Sequence, residues 1–479
     1  MNLMWFRRDL RTLDNSALNQ ALANGATFAI FIATPQSWLN HEMSAAQADL
    51  TLRALSPLQQ SLQQLGVSLK VLFAKDYAES IKHIEHLCQT YAIQTVYFNR
   101  EYEENEIQRD KQLCQRLSAH NILCQSFDDQ CILPPKSVCK QNGNYYQVFT
   151  PFYRRWRALL LNLPSCQYPR KQQNPFPAFS SSPNSIDEIY QQTMSYFTDP
   201  HGALQHCQQA YLANEHSALS KLHTFIEEKL AHYPEERDIP SIEGTSGLSP
   251  YLAIGLISAR TICQQVMMAS DSEASNTFIS ELAWRDFCKH ILFYRADLIR
   301  HHAFLTLDRY LPWRYDAKDF KRWCNGQTGV PIVDAAMRCL NATGFMHNRL
   351  RMIVAMFLTK DLFIDWRLGE RYFMQNLIDG DFSANNGGWQ WSASVGNDAV
   401  PYFRIMNPYT QGKRFDPHAR FIKTWLPEVR SIHANILHDE NKLQNHLSTH
   451  PNAYPKAIVN HKQARQQTLE LFKQAKASS

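Results

Sequence analysis

From Asn2 to Ala119 short apolar runs alternate with amphipathic stretches, and beyond residue 200 the strand signals stop. Asn2–Phe6, Thr27–Ala33, Ser68–Phe73 and Gln94–Phe98 read as buried strands. Ser16–Ala23, Ala45–Leu65, Tyr77–Tyr91 and Asn105–Ala119 read as helices around them. Repeated strand–helix units need right-handed crossovers and so predict a mainly parallel sheet. Ligands on such sheets sit beyond the carboxyl ends of the strands. The first strand ends at Phe6 and runs into the basic turn Arg7–Arg11. No GxGxxG follows a strand, which argues against an ordinary dinucleotide site in this part.

Residues 128–200 change character. They are rich in Pro, Ser, Gln and Asn, as in Arg170–Ser185, with one helical piece at Phe152–Leu161. This reads as a connector wrapping the surface. Beyond it Leu219, Leu222, Phe225, Ile226 and Leu230 form one helical face. The expected division is an α/β, Rossmann-like part over 1–127, a connector over 128–200 and an all-α part over 201–479. A chain of 479 residues suits two or three domains. It is large enough for its own core and shows no coiled coil, so a monomer is expected.

The formal net charge is +5. Glu281–Arg430 alone holds 21 Lys/Arg against 15 Asp/Glu, so the positive excess lies where a phosphate-binding face would be. The 11 cysteines show no CxxC spacing. The N-terminus MNLMWFRRDL lacks a signal-peptide layout, and no apolar run approaches the roughly 20 residues that span a bilayer. A cytoplasmic protein with reduced thiols and no membrane partner is expected.

Four segments carry chemistry. In Glu243–Pro250, Ser249 and Pro250 open a helix, and the hydroxyls of Thr245, Ser246 and Ser249 with free N–H groups suit a phosphate. Read alone, a capped helix explains it equally. In Phe278–Tyr294, Glu281, Trp284, Arg285, Cys288 and Lys289 share one helix face, as a flat, hydrogen-bonding, phosphate-linked ligand would need. An exposed Glu281–Arg285 pair is the plainer reading. In Gly344–Met352, Asn348 and Met352 are helix-face neighbours, with Met352 equally suited to core filling. Asp379–Trp391 sets two acids and two asparagines among glycines, so backbone and carboxylates can approach a ligand closely. Paired aspartates could hold a metal, but no third acid is near and none is assigned. Trp313, Trp323, Trp366, Trp389 and Trp391 punctuate the region, either as core or as an electron relay.

Together these segments resemble the photolyase/cryptochrome family, from WFRRDLR at Trp5–Arg11 to NPYTQGKRFD at Asn407–Asp416. The most specific blocks are TGFMHNRLRM (Thr343–Met352) and DGDFSANNGGWQWSASVG (Asp379–Gly396). The bacterial class I enzymes acting on cyclobutane pyrimidine dimers are the nearest type. The resemblance implies a light-driven lyase that repairs DNA with reduced, anionic FAD, folded into a U in the helical part. Tyr233 and Thr245, Ser246, Gly247, Leu248 and Ser249 match its phosphate-side contacts. Asp379, Gly380 and Asp381 match the flavin and ribose side, Asn385 the asparagine beside the central flavin nitrogen, and Arg351 a partner of Asp379. Trp389, Trp366 and Trp313 match the electron chain that photoreduces the flavin, in that order toward the surface. Glu281, Trp284, Asn348, Arg349 and Met352 match the pocket for a flipped dimer, with Arg237, Arg285, Lys289, Arg404 and Gln411 on the DNA side. Flipping a dimer costs less than flipping intact bases because it stacks and pairs poorly.

The antenna expected in the sheet-bearing part is 5,10-methenyltetrahydrofolate, matched by His41, Asn105 and Glu106, with a deazaflavin or an empty site as the alternatives. Ile299 and Arg300 stand where that type can carry Cys and Lys. A light-signalling cryptochrome and a repair enzyme for the (6-4) photoproduct are the alternatives. Against the first stand the full dimer pocket and a short tail; against the second stands Met352 where a His is usual.

Overall fold

Five parallel strands, β1 (Asn2–Phe6), β2 (Thr27–Ala33), β3 (Leu69–Phe73), β4 (Thr95–Asn99) and β5 (Leu123–Phe127), form one sheet in the order β3-β2-β1-β4-β5. The computed structural model describes residues 1–172, 185–450 and 454–478. β1 and β2 are buried along their whole length, as strands covered on both faces must be. Alternation splits their side chains between two cores. Met4, Phe6, Ala29 and Phe31 face one, and Leu3, Trp5, Phe28 and Ile30 face the other. The first core continues into Ile254, Leu256 and Phe287, so sheet and helices are packed as one body.

The strand order reverses between β1 and β4, and this is where an open parallel sheet leaves a crevice at its carboxyl edge. Arg7 and Arg8 leave β1 there, and Glu101 to Glu106 follow β4. The turn after β1 is locked onto the helical region. Gly255 ends the Ser249–Ile254 helix at φ +73°, and a Cβ there would fall on the Arg8 carbonyl and on Asp9. Glycine is required both by that backbone conformation and by the close approach.

Beyond Phe127 the described residues form helices and loops, apart from one isolated bridge between Arg314 and Ile364. No described helix is long and apolar enough to cross a membrane.

Several elements differ from the sequence expectation. The Ala45–Leu65 helix is two, Ala45–Arg53 and Leu55–Gln64. Pro57 has no N–H to give the Arg53 carbonyl, so the ladder breaks. Pro35–Asn40 is an additional short helix. β5 is a half-exposed edge strand whose residues Leu-Cys-Gln-Ser-Phe carry no buried run to read. The connector holds the helices Phe149–Leu159 and Ile186–Met194. The second opens on a full capping box between Ser185 and Glu188, a signal visible in the sequence. Connector residues 173–184 lie outside the described residues.

Candidate active site

A cavity of about 650 Å³ opens in the helical region, within the range of a cofactor site. Four helices build it: Ser249–Ile254, Glu273–Tyr294, Asn348–Met356 and Phe382–Ala393. Tyr233, Thr245–Ser249, Glu281, Trp284, Arg285, Asn348, Arg349, Arg351, Met352, Asp379, Asp381 and Asn385 all line it. Most of the expected FAD and dimer-pocket residues therefore meet around one volume. Gly380 instead lines a second, smaller cavity, described below.

The floor is held by charge pairs of long sequence separation. Asp379 accepts from Arg351 at 2.8 and 3.0 Å and from the Ser249 hydroxyl at 2.6 Å. Ser249 is thus not the helix cap that the sequence suggested. Leu248 holds the cap position, and the Ser249 hydroxyl reaches across to the Asp379 carboxylate. Asp381 caps the Phe382–Ala393 helix through Ala384 N and accepts from Lys289 at 2.7 Å. Its pKa lies well below the ordinary carboxylate range: burial opposes the charge, but the ammonium of Lys289 and the guanidinium of Arg285 outweigh it. Both acids are neutralised by these cations, which leaves no pair of free carboxylates for a metal.

Lys289 is a correction. Expected on the DNA side, it is instead 2% exposed, and its ammonium is held by Asp381 in the cavity floor. Arg285 faces away from Glu281 as well and donates to the Gln130 carbonyl at 2.6 Å. Glu281 pairs instead with Arg237 at 2.8 Å, and Arg349 pairs with Asp238 at 2.7 Å. Arg404 and Gln411 lie outside the cavity lining, Arg404 on the open surface.

Trp284 presents one ring face to Phe149, with centroids 3.6 Å apart and planes 9° from parallel. Phe149 belongs to the connector helix and had no signal of its own. Asn385 donates to the Glu370 carbonyl at 2.9 Å, which fixes its side chain at the cavity wall. His347 also lines the cavity. Burial lowers its pKa to about 4, so it is neutral at pH 7.

Three tryptophans lead away from this wall. Trp389 is 2% exposed and Trp366 0%, while Trp313 is half-buried. Trp389 packs onto Gly369, where any side chain would collide with its ring. Gly369 and Trp366 are three apart on the Trp366–Asn376 helix, hence on one face.

The second cavity, of about 170 Å³, occupies the crevice between β1 and β4. His41, Asn105 and Glu106 come together in it. Asn105 lies 2.8 Å from His41 Nε2, and His41 Nδ1 lies 3.1 Å from Glu106 Oε1. With the amide donating to Nε2, the ring proton sits on Nδ1 and is donated to the carboxylate. Tyr77 donates to the same oxygen at 2.8 Å, whereas Glu106 Oε2 is buried without a partner. The pKa of Glu106 is lowered: burial opposes the charge, but His41, Arg8 and Arg109 outweigh it. Ile299 lines this cavity, while Arg300 turns outward to Glu104 at 2.6 Å. Ala253 and Phe382 line both cavities, so only a thin wall separates them.

Cys131, Asp286 and His290 place ligand atoms within 4.8 Å of one another. The Asp286 carboxylate is already taken by Ile132 N, Leu133 N and Trp156 Nε1. The cluster fastens the 131–133 loop to the Glu273–Tyr294 helix.

Residues 2–177 match the family model described as DNA photolyase, and residues 278–474 that of the FAD binding domain of DNA photolyase. A deoxyribodipyrimidine photo-lyase of Vibrio cholerae is 44% identical, over 99% of this chain and all of its own. One of Escherichia coli is 40% identical over 99% of both chains. Among solved structures, a class III photolyase of Agrobacterium tumefaciens superposes with a TM-score of 0.88 at 32% identity, covering 99% of this chain and 98% of that one. A cryptochrome of Synechocystis reaches 0.83 at 26% identity over 98% and 99%. The chain belongs to the photolyase/cryptochrome family, with the deoxyribodipyrimidine photo-lyases: it is a light-dependent carbon–carbon lyase that uses FAD to repair DNA.

Proposed function

We propose that the chain splits cyclobutane pyrimidine dimers in the class I manner, with the dimer flipped out of the duplex into the mouth of the large cavity. The observation that carries this is the single volume shared by Glu281, Trp284, Asn348 and Met352 with Asp379, Asp381, Asn385 and Trp389. The first set faces a lesion, the second a flavin. Residues 1–127 serve the antenna, 128–200 connect, and 201–479 carry the chemistry.

The cavity fits FAD in size and in donors. Thr245, Ser246 and Ser249 offer hydroxyls for a diphosphate. The Arg351–Asp379 pair supplies both a donor and an acceptor, and Arg351 favours a negatively charged reduced ring. Bound and reduced, FAD supplies under blue light the electron that opens the cyclobutane ring and that returns afterwards. The protein's share is positioning. Trp284, stiffened by Phe149, stacks against the lesion. Glu281, oriented by Arg237, accepts hydrogen bonds from a pyrimidine edge. Asn348 and Arg349 lie at the mouth to hold the displaced backbone. Trp389, Trp366 and Trp313 refill the flavin with electrons from the surface.

The small cavity suits 5,10-methenyltetrahydrofolate. Glu106 Oε2 is a buried acceptor without a donor, and a pterin presents N–H groups that would satisfy it. The protein acts as a monomer in the cytoplasm.

The test is repair of an oligonucleotide bearing one cyclobutane thymine dimer, with FAD-loaded, pre-reduced protein, under blue light and in the dark. Restored thymine pairs only in the light are expected. No restoration would sink the dimer assignment and turn the test to the (6-4) lesion.

A further inference from the structure

The three tryptophans differ in what their indole N–H groups meet. Trp389 Nε1 is buried with no acceptor. Trp366 Nε1 donates to Asp308 Oδ1 at 3.2 Å, and Trp313 Nε1 donates to that same oxygen at 2.9 Å. Asp308 is 7% exposed, and its other oxygen accepts from Arg367 at 2.5 Å. The Arg367 guanidinium lies 4.6 Å above the Trp366 ring. One carboxylate thus bridges the middle and outer indoles, and one guanidinium covers the middle indole.

We propose that Asp308 makes this chain one-way: its charge draws the electron vacancy outward, and its Oδ1 takes the indole proton of Trp313. The proposal rests on the reading of Trp389, Trp366 and Trp313 as an electron chain. A vacancy on an indole is a positive charge. On Trp389 it meets no acceptor. On Trp366 the carboxylate favours it, but the guanidinium over the ring opposes it. On Trp313 the carboxylate favours it at a shorter distance, and the half-exposed ring also has water. The step from Trp366 to Trp313 is therefore downhill, and the vacancy settles on the outer ring.

With FAD bound, oxidised and photoexcited, Trp389 would give it one electron. Trp366 refills Trp389, and Trp313 refills Trp366. The flavin is reduced by one electron and Trp313 is oxidised by one. The Trp313 N–H bond then breaks with its electron pair left on nitrogen, and the proton goes to Asp308 Oδ1. A neutral indolyl radical and a neutral carboxyl result, so no charge remains to pull the electron back. A diffusible thiolate at the surface later returns one electron to Trp313 and becomes a thiyl radical, and Asp308 Oδ1 gives the proton back to the indole nitrogen, which restores both side chains.

Transient absorption after a laser flash on the oxidised holoprotein separates cationic from neutral indole radicals. Asp308→Asn should slow formation of the neutral radical about a hundredfold or more and make it depend on the concentration of buffer base. Asp308→Glu should restore it in part. A wild-type rate in Asp308→Asn, with FAD content and circular dichroism unchanged, would overturn the proposal. If that variant does not fold, Arg367→Gln keeps the carboxylate and removes the charge over Trp366. The radical should then be shared between Trp366 and Trp313, and a wild-type distribution would count against the outward bias. Trp313→Phe tests the underlying chain separately: undiminished long-lived indole radical there would remove the chain itself.

Discussion

The two cavities use charge in opposite ways. In the crevice of the sheet, charged groups mostly satisfy one another: Arg8 lies 3.4 Å from Glu101, 3.0 Å from Glu103 and 3.7 Å from Glu106, and Arg109 bonds Glu101 at 2.8 Å. One carboxylate oxygen, on Glu106, is left over. In the helical region the charged groups of the lining are drawn into pairs on the floor and walls, Arg351 with Asp379 and Arg237 with Glu281, and the rest of the volume is lined by aromatic, amide, hydroxyl and aliphatic groups. On the reading proposed above, the first arrangement would recognise one small ligand through one missing bond. The second would leave room for a flavin and a flipped lesion, with the tryptophan rings held in the wall beside them. Burial of charge is common to both; what differs is whether the pairs fill the space or only support it.

Breaking the floor should have the largest effect. Asp379→Ala strands Arg351 and the Ser249 hydroxyl, and the purified protein should lose its flavin absorbance and light-driven repair together. Arg351→Ala should do part of this, and a double-mutant cycle on FAD affinity should show coupling of about 1–3 kcal/mol. Zero coupling would remove the pair from the cofactor site. Lys289→Met, judged by urea unfolding, should cost about 1–3 kcal/mol, because it removes the direct ion-pair partner of the partly buried Asp381 and leaves only the more distant Arg285 to offset its charge. A cost near zero would mean that Lys289 is free for DNA after all.

Acid should distinguish the regions next. The lowered pKa of His347 means that the unfolded chain takes up a proton before the folded one does. Its contribution is present above the ordinary histidine value and is lost as pH falls from about 6.5 to about 4, by up to about 3 kcal/mol. His347→Gln should flatten this part of the stability curve. Asp381 acts below it, its contribution lost only once pH falls through the ordinary carboxylate range.

The sheet crevice should give smaller effects. Glu106→Gln should abolish folate binding and the antenna band of the action spectrum, while repair driven by light absorbed directly by the flavin stays within a factor of two or so. Retained antenna light-harvesting would exclude Glu106 as its anchor. Arg300→Ala, at an exposed pair with Glu104, should leave both the melting temperature and the action spectrum unchanged.

Much of this was legible in the order of residues. The alternation of strands and helices gave the parallel sheet, and the Thr343–Met352 and Asp379–Gly396 blocks located the cavity wall. Both are local signals: period, spacing and motif lie within a few turns of chain. β5 carries no such signal because an edge strand need not bury a face, and the Ile186–Met194 helix is marked in the sequence only by its Ser185–Glu188 capping box.

By itself the sequence determined which segments become strands and helices and which residue types reach the cavity, because those follow from short-range periodicity. The tertiary structure alone decided who pairs with whom. Lys289 meets Asp381 across 92 residues and Ser249 meets Asp379 across 130. Trp366 and Trp313 find one oxygen of Asp308. A charge or an indole N–H takes whichever partner the packed helices bring within about 3 Å, and no spacing along the chain encodes that partner.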